Sequence, residues 1–177
     1  GERRELVPSP KDVDTYDQKP EMSAYEVAAA FRDIMTSASA NLAVLNFANP
    51  DMVAHTGNIH ATVQAVEHVD RCLGEVLDVL AGVGAKVIVT ADHGNAEQML
   101  ESDGATNTAH STGGVPLVVL DTNTRLREGA GLADVAPTLL RFLGLPCPAE
   151  MTNAALTRRR RAAPRPPARP VQRQRCS

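Results

Sequence analysis

The stretch from Asn58 to Ala81 constrains the fold more than any other part of the chain, because its apolar side chains recur every three or four residues. The recurring positions are Ile59, Val63, Val66, Leu73, Val76, Leu77 and Leu80. This period places them on one stripe of an α-helix. Gly82 and Gly84 follow, and glycine commonly ends a helix. We therefore predict one long amphipathic helix.

Short apolar runs lie on either side of this helix. Leu42 to Phe47 precedes it, Lys86 to Ala91 follows it, and Val115 to Leu120 comes later. Each is short enough for a buried strand, and the last two are rich in β-branched residues. A strand, a helix and a second strand form a βαβ unit, and nearly continuous apolar strands imply a sheet covered on both faces. The pattern predicts an α/β domain with its functional crevice at the carboxyl ends of the strands.

Two shorter helices complete the predicted elements. Ser23 and Glu26 have the spacing of a capping box, so a helix is expected over about Ser23 to Met35. A last helix is expected from Asp134 to Leu143, closed by Gly144.

The charge of the chain is divided unevenly along its length. The net charge is −3, yet the segment from Thr157 to Ser177 holds eight arginines and no acid, which leaves 10 basic against 21 acidic residues elsewhere. A segment of Arg, Pro and Ala has little apolar surface to offset its ordering entropy. We predict a folded domain over residues 1–156 and a disordered Arg/Pro-rich tail over 157–177.

Cysteine usage and hydropathy indicate the compartment. Cys72, Cys147 and Cys176 are widely spaced and form no CxxC pair, which favours neither a disulfide framework nor a thiolate zinc site. No stretch reaches the roughly 18 apolar residues of a membrane-spanning helix. A cytoplasmic protein is expected.

Four potential metal ligands follow the first two predicted strands. Asp51 and His55 are four residues apart, so one helical turn would bring their side chains together. Asp92 and His93 directly follow the second strand, and Gly94 permits the sharp turn that their joint use requires. The alternative for Asp51 and His55 is a helix-capping aspartate and an exposed histidine. The alternative for Asp92 and His93 is a loop with a polar turn.

His110 precedes the third strand, so it can join the other four only if that strand runs antiparallel to its neighbours. Otherwise it is a solvent-facing loop histidine. Five oxygen and imidazole ligands without a thiolate favour Mn²⁺ or Zn²⁺, and they exceed what one tetrahedral site needs. Paired ions typically clamp the oxygens of an in-line displacement at phosphorus, so phosphoryl transfer is predicted. His60 and His68, on the long helix, are expected outside the site.

Several extended runs resemble one family. They are LVPSPKDVDTYDQKPEMSAYEV, NLAVLNFANPDMVAHTGN, VIVTADHGNAEQML, TAHSTGGVPLVVL and LADVAPTLLRFLGLPCPAEMT. Together they resemble the C-terminal part of the phosphatase-like domain of cofactor-independent (2,3-bisphosphoglycerate-independent) phosphoglycerate mutases, members of the alkaline phosphatase superfamily. The resemblance extends from about Leu6 to Thr152. Ala54 stands where that family usually has Gly.

This resemblance implies part of an alkaline-phosphatase-like, three-layer α/β/α domain, whose mixed, mostly parallel sheet has one antiparallel strand. It implies interconversion of 3-phosphoglycerate and 2-phosphoglycerate through a phosphoserine, by a monomer with two Mn²⁺ ions, or with Zn²⁺, Mg²⁺ or Co²⁺. Asp51, His55 and His110 would hold one ion, and Asp92 and His93 would contribute to the other. The serine nucleophile and a lysine are expected in an N-terminal segment outside this chain, so the chain alone is expected to be inactive.

Two other functions remain open at this point. One is a different phosphotransferase or phosphomonoesterase of the same superfamily. The other is a non-catalytic protein that binds polyanions through its Arg-rich tail, without specific recognition of nucleic acid.

Overall fold

A computed structural model describes residues 1–37, 40–120 and 124–159. The chain divides into two compact units, residues 1–120 and residues 121–177. All five predicted metal ligands belong to the first unit.

The first unit contains three α-helices and a short 3₁₀ helix. The 3₁₀ helix is Tyr16–Gln18, and the α-helices are α1 (Ala24–Ser37), α2 (Asn49–Ala54) and α3 (Ile59–Gly82). The long predicted helix is confirmed as α3. Its first turn is capped by Asn58, whose side-chain Oδ1 accepts a hydrogen bond from the Ala61 amide at 3.1 Å.

The core of this unit forms where α3 packs against α1 and α2. The cluster between α1 and α3 consists of Ala24, Ala28, Phe31, Cys72 and Val76. The second cluster consists of Met22, Val53, Ala61 and Ala65, with Val53 contributed by α2. Burial raises the pKa of the Cys72 thiol, so at neutral pH it packs as a small apolar group.

A two-stranded ribbon carries the loops of the site. Strand β1 (Val87–Thr90) pairs with β2 (Leu117–Leu120) in antiparallel register, from Val87 opposite Leu120 to Thr90 opposite Leu117. The predicted antiparallel direction of the later strand relative to β1 is therefore confirmed. Because the last residue of β1 pairs with the first residue of β2, the segment that follows β1 and the segment that leads into β2 lie at the same end of the ribbon.

The predicted strand over Leu42 to Phe47 is wrong, since no strand is assigned there. Leu45 and Phe47 pack against the core between α1 and α3, whereas Val44 is 85% exposed. Buried and exposed side chains therefore alternate, as they do in an extended chain. A β-strand also requires a neighbouring strand to which its backbone is hydrogen-bonded. Among the described residues β1 pairs only with β2, and every ladder is antiparallel.

Ser23 has a different role from the predicted capping box. Its hydroxyl donates a hydrogen bond to the Pro8 carbonyl oxygen at 2.8 Å, which ties the N-terminal segment to the start of α1. A local motif is outcompeted here by a contact 15 residues away in sequence.

The second unit consists of a small sheet, a 3₁₀ helix and an α-helix. Its elements are β3 (Thr124–Leu126), the 3₁₀ helix Leu132–Asp134, α4 (Val135–Leu143) and β4 (Thr157–Arg159), with β3 and β4 antiparallel. Helix α4 confirms the last predicted helix and ends at Gly144, where φ is +71°.

The tail predicted from Thr157 requires a correction at its start. Residues Thr157–Arg159 form β4, because backbone pairing with β3 orders a segment whose composition lacks apolar side chains. Positions 160–177 lie outside the described residues, and the prediction of disorder there stays a prediction. Within the described parts of the chain, no helix combines the length and hydropathy needed to cross a membrane.

Candidate metal centre

Helix α2 brings the first two candidate ligands together. Pro50 occupies the first turn of this helix, and the side chain of Asn49 anchors it by donating to the carbonyl oxygens of Pro20 and Glu21 at 3.0 and 2.7 Å. Asp51 lies in the first turn and His55 follows directly after the last residue of the helix. The distance from His55 Nε2 to Asp51 Oδ1 is 3.2 Å, as the four-residue spacing predicts.

His110 completes a compact group with these two residues. Its Nε2 lies 3.3 Å from Asp51 Oδ1 and 3.1 Å from His55 Nε2. Nitrogen and oxygen ligands bind ions such as Zn²⁺ at about 2.0–2.2 Å, so two ligands of one ion lie roughly 3–3.5 Å apart. The three atoms therefore have the mutual spacing of ligands of a single cation.

The orientation of His55 also suits a cation. Its Nδ1 lies 2.7 Å from the carbonyl oxygen of Thr108, which can only accept a hydrogen bond, so Nδ1 carries the proton. In the neutral ring, Nε2 then presents a lone pair toward Asp51 Oδ1, which also carries lone pairs. Two acceptors at 3.2 Å repel each other unless a proton or a cation lies between them. A histidine held in this way by a backbone carbonyl is typical of metal sites.

His93 lies beside this group rather than apart from it. Its ring stacks on His110 with a centroid separation of 3.8 Å and an interplanar angle of 19°. Its Nδ1 is 4.0 Å from Asp51 Oδ1. Asp51, His93 and His110 thus also form a group with ligand atoms within 4.8 Å of one another. The Asp51, His55 and His110 spacing is tighter, and we regard it as the better-formed set.

Asp92 is the one predicted ligand at the margin of the cluster. Its side chain is 88% exposed, and its Oδ1 lies 3.8 Å from His93 Nε2. The structure therefore brings Asp51, His55, His93 and His110 together, with Asp92 adjacent to His93 but facing solvent. Of the other histidines, His60 is exposed and His68 Nδ1 lies 2.7 Å from the Tyr25 hydroxyl, so neither belongs to the cluster.

The sequence prediction missed the side chains that support these ligands. Asn95, only 3% exposed, donates from Nδ2 to Asp51 Oδ1 at 2.7 Å. Glu97 accepts from the Asn95 amide at 2.8 Å and from the Ser111 hydroxyl. The Ser111 hydrogen bond is the main cause that lowers the pKa of the Glu97 carboxyl, which keeps it ionised. The polar run that follows β1 signalled such contacts, but not their partners.

The cluster combines one carboxylate and imidazoles on two loops and a short helix. This donor set suits divalent transition ions, because it contains no thiolate and no all-oxygen cage. Such sites act as Lewis acids toward phosphoryl and carbonyl oxygens when loaded.

An α/β fold that presents this donor set is of the kind found in metalloenzymes. The chain belongs to the metalloenzyme superfamily, whose family model matches residues 1–147. Particular members of the superfamily are close relatives. The chain is 47% identical over 166 residues to a 2,3-bisphosphoglycerate-independent phosphoglycerate mutase of Prochlorococcus marinus, and 50% identical over 159 residues to the protein of that name from Syntrophotalea carbinolica.

The alignments cover most of this chain but only a minor part of each relative. Each alignment includes 88% of this chain but 31% of the relative, so the chain spans about a third of the length of the curated relatives it matches. A crystal structure of Leishmania mexicana phosphoglycerate mutase, described as being at low cobalt concentration, matches with a TM-score of 0.78 and 31% identity. That match covers 87% of this chain and 31% of the other. The predicted α/β class and the resemblance to this family are confirmed.

Proposed function

We propose that this chain forms the metal-binding part of a phosphoglycerate mutase that interconverts 3-phosphoglycerate and 2-phosphoglycerate through a phosphoserine. The convergence of Asp51, His55 and His110, with ligand atoms 3.1 to 3.3 Å apart, is the observation that carries the proposal. The names of the relatives supply the substrate and the type of reaction.

In this proposal Asp51, His55 and His110 hold one divalent ion, and Asp92 and His93 contribute to a second. Manganese is the proposed metal, with Zn²⁺, Mg²⁺ and Co²⁺ as alternatives that the same donors can bind. When bound, such a pair neutralises the charge of a transferring phosphoryl group and of its attacking and leaving oxygens.

In this proposal, residues of this chain orient the metal ligands in advance of the reaction. The Thr108 carbonyl keeps His55 in the tautomer that presents Nε2, and Asn95 holds the carboxylate oxygen of Asp51 toward the same point. Asp92 and His93 offer only two donors, too few for a closed site. We propose that the remaining ligands, the serine nucleophile and a lysine lie in the part of the relatives that this chain does not span.

Metal binding by the chain alone tests the first part of the proposal. Titration calorimetry with Mn²⁺ should show one tighter site that requires His55 and His110. His55→Ala and His110→Ala should each weaken it by more than the roughly 10–100-fold that loss of an outer hydrogen-bond partner costs. His60→Ala, on exposed α3 surface, is the matched control and should bind as the wild type does. Equal affinity in all four proteins would overturn the assignment.

Complementation tests the reaction. The chain alone should have no mutase activity, and activity should appear when a segment equivalent to the rest of a relative is supplied in trans. Full activity of the lone chain would contradict the proposed division of the site. Hydrolysis of a simple phosphomonoester without mutase turnover after complementation would favour a phosphatase instead.

A further inference from the structure

Two loops bring two of the candidate ligands, His93 and His110, to the centre, and the loops contact each other directly. The first loop follows β1 and carries His93, and the second precedes β2 and carries His110. Gly94 and Ser111 form an isolated antiparallel bridge between them, in which the Ser111 amide donates to the Gly94 carbonyl oxygen at 2.9 Å. A single backbone bridge defines where the loops meet, but not how the side chains next to it are oriented.

The carboxylate of Glu97 provides a second connection between the same loops. One oxygen, Oε2, accepts from the amide of Asn95 in the first loop at 2.8 Å. The other, Oε1, accepts from the hydroxyl of Ser111 in the second loop. The Ser111 oxygen in turn accepts from the Gly113 amide at 3.2 Å, so the bond to Glu97 also holds the approach to β2. Hydrogen bonds to an ionised group are roughly twice as strong as neutral ones.

Two glycines make room for this carboxylate. A Cβ atom at Gly94 would overlap both Glu97 Oε1 and Ser111 Oγ. A Cβ atom at Gly113 would lie 3.0 Å from Glu97 Oε1 and 3.3 Å from Ser111 Oγ, tighter than ordinary contact. Both loops therefore approach the Glu97 carboxylate through backbone that has no side chain.

The connection reaches a candidate ligand through Asn95. This residue is 3% exposed, and its Nδ2 donates to Asp51 Oδ1 at 2.7 Å. The same carboxylate oxygen faces the Nε2 atoms of His55 and His110. Whatever fixes the backbone of Asn95 therefore also fixes the oxygen around which the ligand atoms converge.

We propose that Glu97 is a positioning residue of the metal centre, which locks the loops of His93 and His110 together and, through Asn95, orients Asp51. The inference rests on the proposed metal centre, but the loop lock itself exists without a metal. Glu97 does not belong to the ligand group of Asp51, His93 and His110, and it acts only through its neighbours.

Glu97→Ala in the full chain tests the inference, with Glu101→Ala as the matched control because Glu101 is exposed on the same stretch after β1. Loss of the carboxylate should weaken Mn²⁺ binding by about 10–100-fold, as for other groups that orient metal ligands. It should also change the visible absorption of bound Co²⁺, which reports ligand geometry. Glu97→Gln, which keeps one acceptor and one hydrogen-bonding group for Ser111, should restore most of the affinity. Glu101→Ala should match the wild type in both measurements.

Amide hydrogen exchange of the metal-free chain separates this inference from the proposed function. In Glu97→Ala the amides of Asn95 and Ser111 should exchange at least about tenfold faster, while amides of α3 stay unchanged. Unchanged exchange of both amides would overturn the loop lock, whether or not the wild type binds Mn²⁺. If the wild type binds no Mn²⁺ but the two amides still exchange faster in Glu97→Ala, the proposed metal centre is wrong and the link between the loops through Glu97 is supported.

The Gln variant and Ser111→Ala cover the case in which Glu97→Ala does not fold. Ser111→Ala removes one of the two hydrogen bonds and should weaken Mn²⁺ binding less than Glu97→Ala would. If Ser111→Ala binds Mn²⁺ as the wild type does, with the same Co²⁺ spectrum and the same amide exchange, the inference fails, even if Glu97→Gln also binds normally.

Discussion

At the scale of single residues, the centre depends on positions that are not ligands. Gly57 follows His55 by two residues, has φ of +77°, and packs closely on the segment that contains Thr106 and Thr108. A Cβ atom at this position would lie 2.7 Å from Thr106 Cγ2. The carbonyl oxygen of Thr108 accepts from His55, so the absence of a side chain at Gly57 keeps that acceptor within reach.

Gly57→Ala should therefore destabilise the chain and weaken Mn²⁺ binding. The left-handed backbone alone costs a non-glycine residue about 1–2 kcal/mol, and the contact with Thr106 adds to it. Chemical denaturation measures the loss of stability, and calorimetry measures the loss of affinity.

Gly104→Ala separates these two causes. Gly104 also has a positive φ, +84°, but an added Cβ would meet nothing within 4 Å. This variant should show the backbone cost without the loss of Mn²⁺ affinity. Equal affinities for Gly57→Ala and Gly104→Ala would contradict the role assigned to the Thr108 contact.

At the scale of elements, the site depends on how α2 passes into α3. Asn58 ends the turn after His55 and caps α3, because its Oδ1 accepts from the Ala61 amide. Its Nδ2 also donates to Asp17 at 3.3 Å, which links the helix start to the 3₁₀ helix near the N-terminus. The longest helix is thereby anchored at the end nearest the candidate ligands.

Asn58→Ala should reduce the free energy of unfolding by about 1 kcal/mol, the usual cost of losing such a cap. Asn58→Ser should recover most of this, because a serine hydroxyl can accept the same amide. Gln64→Ala, at an exposed position of α3, is the control and should be neutral or slightly stabilising. A cap variant no less stable than the Gln64 control would show that α3 does not depend on Asn58.

At the scale of the whole molecule, the second unit contributes its own dependence on pH. Asp134 is 3% exposed and accepts from the Gly131 amide and from Arg127 Nη2, each at 2.8 Å. The Gly131 hydrogen bond is the largest cause that lowers the pKa of Asp134 from its ordinary value of 3.8, with Asn153 and Arg127 acting in the same direction. A carboxyl with a lowered folded-state pKa stabilises the fold above the unfolded pKa, and this stability is lost as the pH falls through the folded pKa.

Asp134→Asn should therefore lower the melting temperature of this unit at pH 7, and the difference from the wild type should shrink below about pH 4. Thermal melts followed by circular dichroism between pH 7 and pH 2.5 measure the effect. Glu150→Gln, an exposed acid of the same unit, should melt with the wild type throughout. A difference that stays constant with pH would mean that the charge of Asp134 does not stabilise the unit.

Local patterns were sufficient for some of this architecture. The apolar period of α3, the glycine that ends α4, and the four-residue spacing of Asp51 and His55 each depend on neighbours in the chain, and the structure confirms them. The direction of β2 was predicted from the requirement that His110 reach the other ligands, and the register of β1 and β2 agrees.

Long-range contacts explain the failures. Leu42 to Phe47 has the composition of a strand, but a strand exists only where another strand completes its ladder. Ser23 has the spacing of a capping box, but its hydroxyl bonds to Pro8. Asp92 is 88% exposed whereas its neighbour His93 is 31% exposed, and no local pattern distinguishes which of these two adjacent residues joins the cluster.

The sequence by itself determined α1, α3, α4, the ribbon strands and the types of candidate ligand, because period and side-chain chemistry are local properties. Only the tertiary structure decided which candidate ligands meet and what holds them, since nothing local distinguishes Glu97 from other exposed glutamates, and its hydrogen bonds to Asn95 and Ser111 exist only in the folded chain. Hydrogen bonds between residues distant in the chain leave no periodic trace in a sequence, and the order within this site consists largely of such bonds.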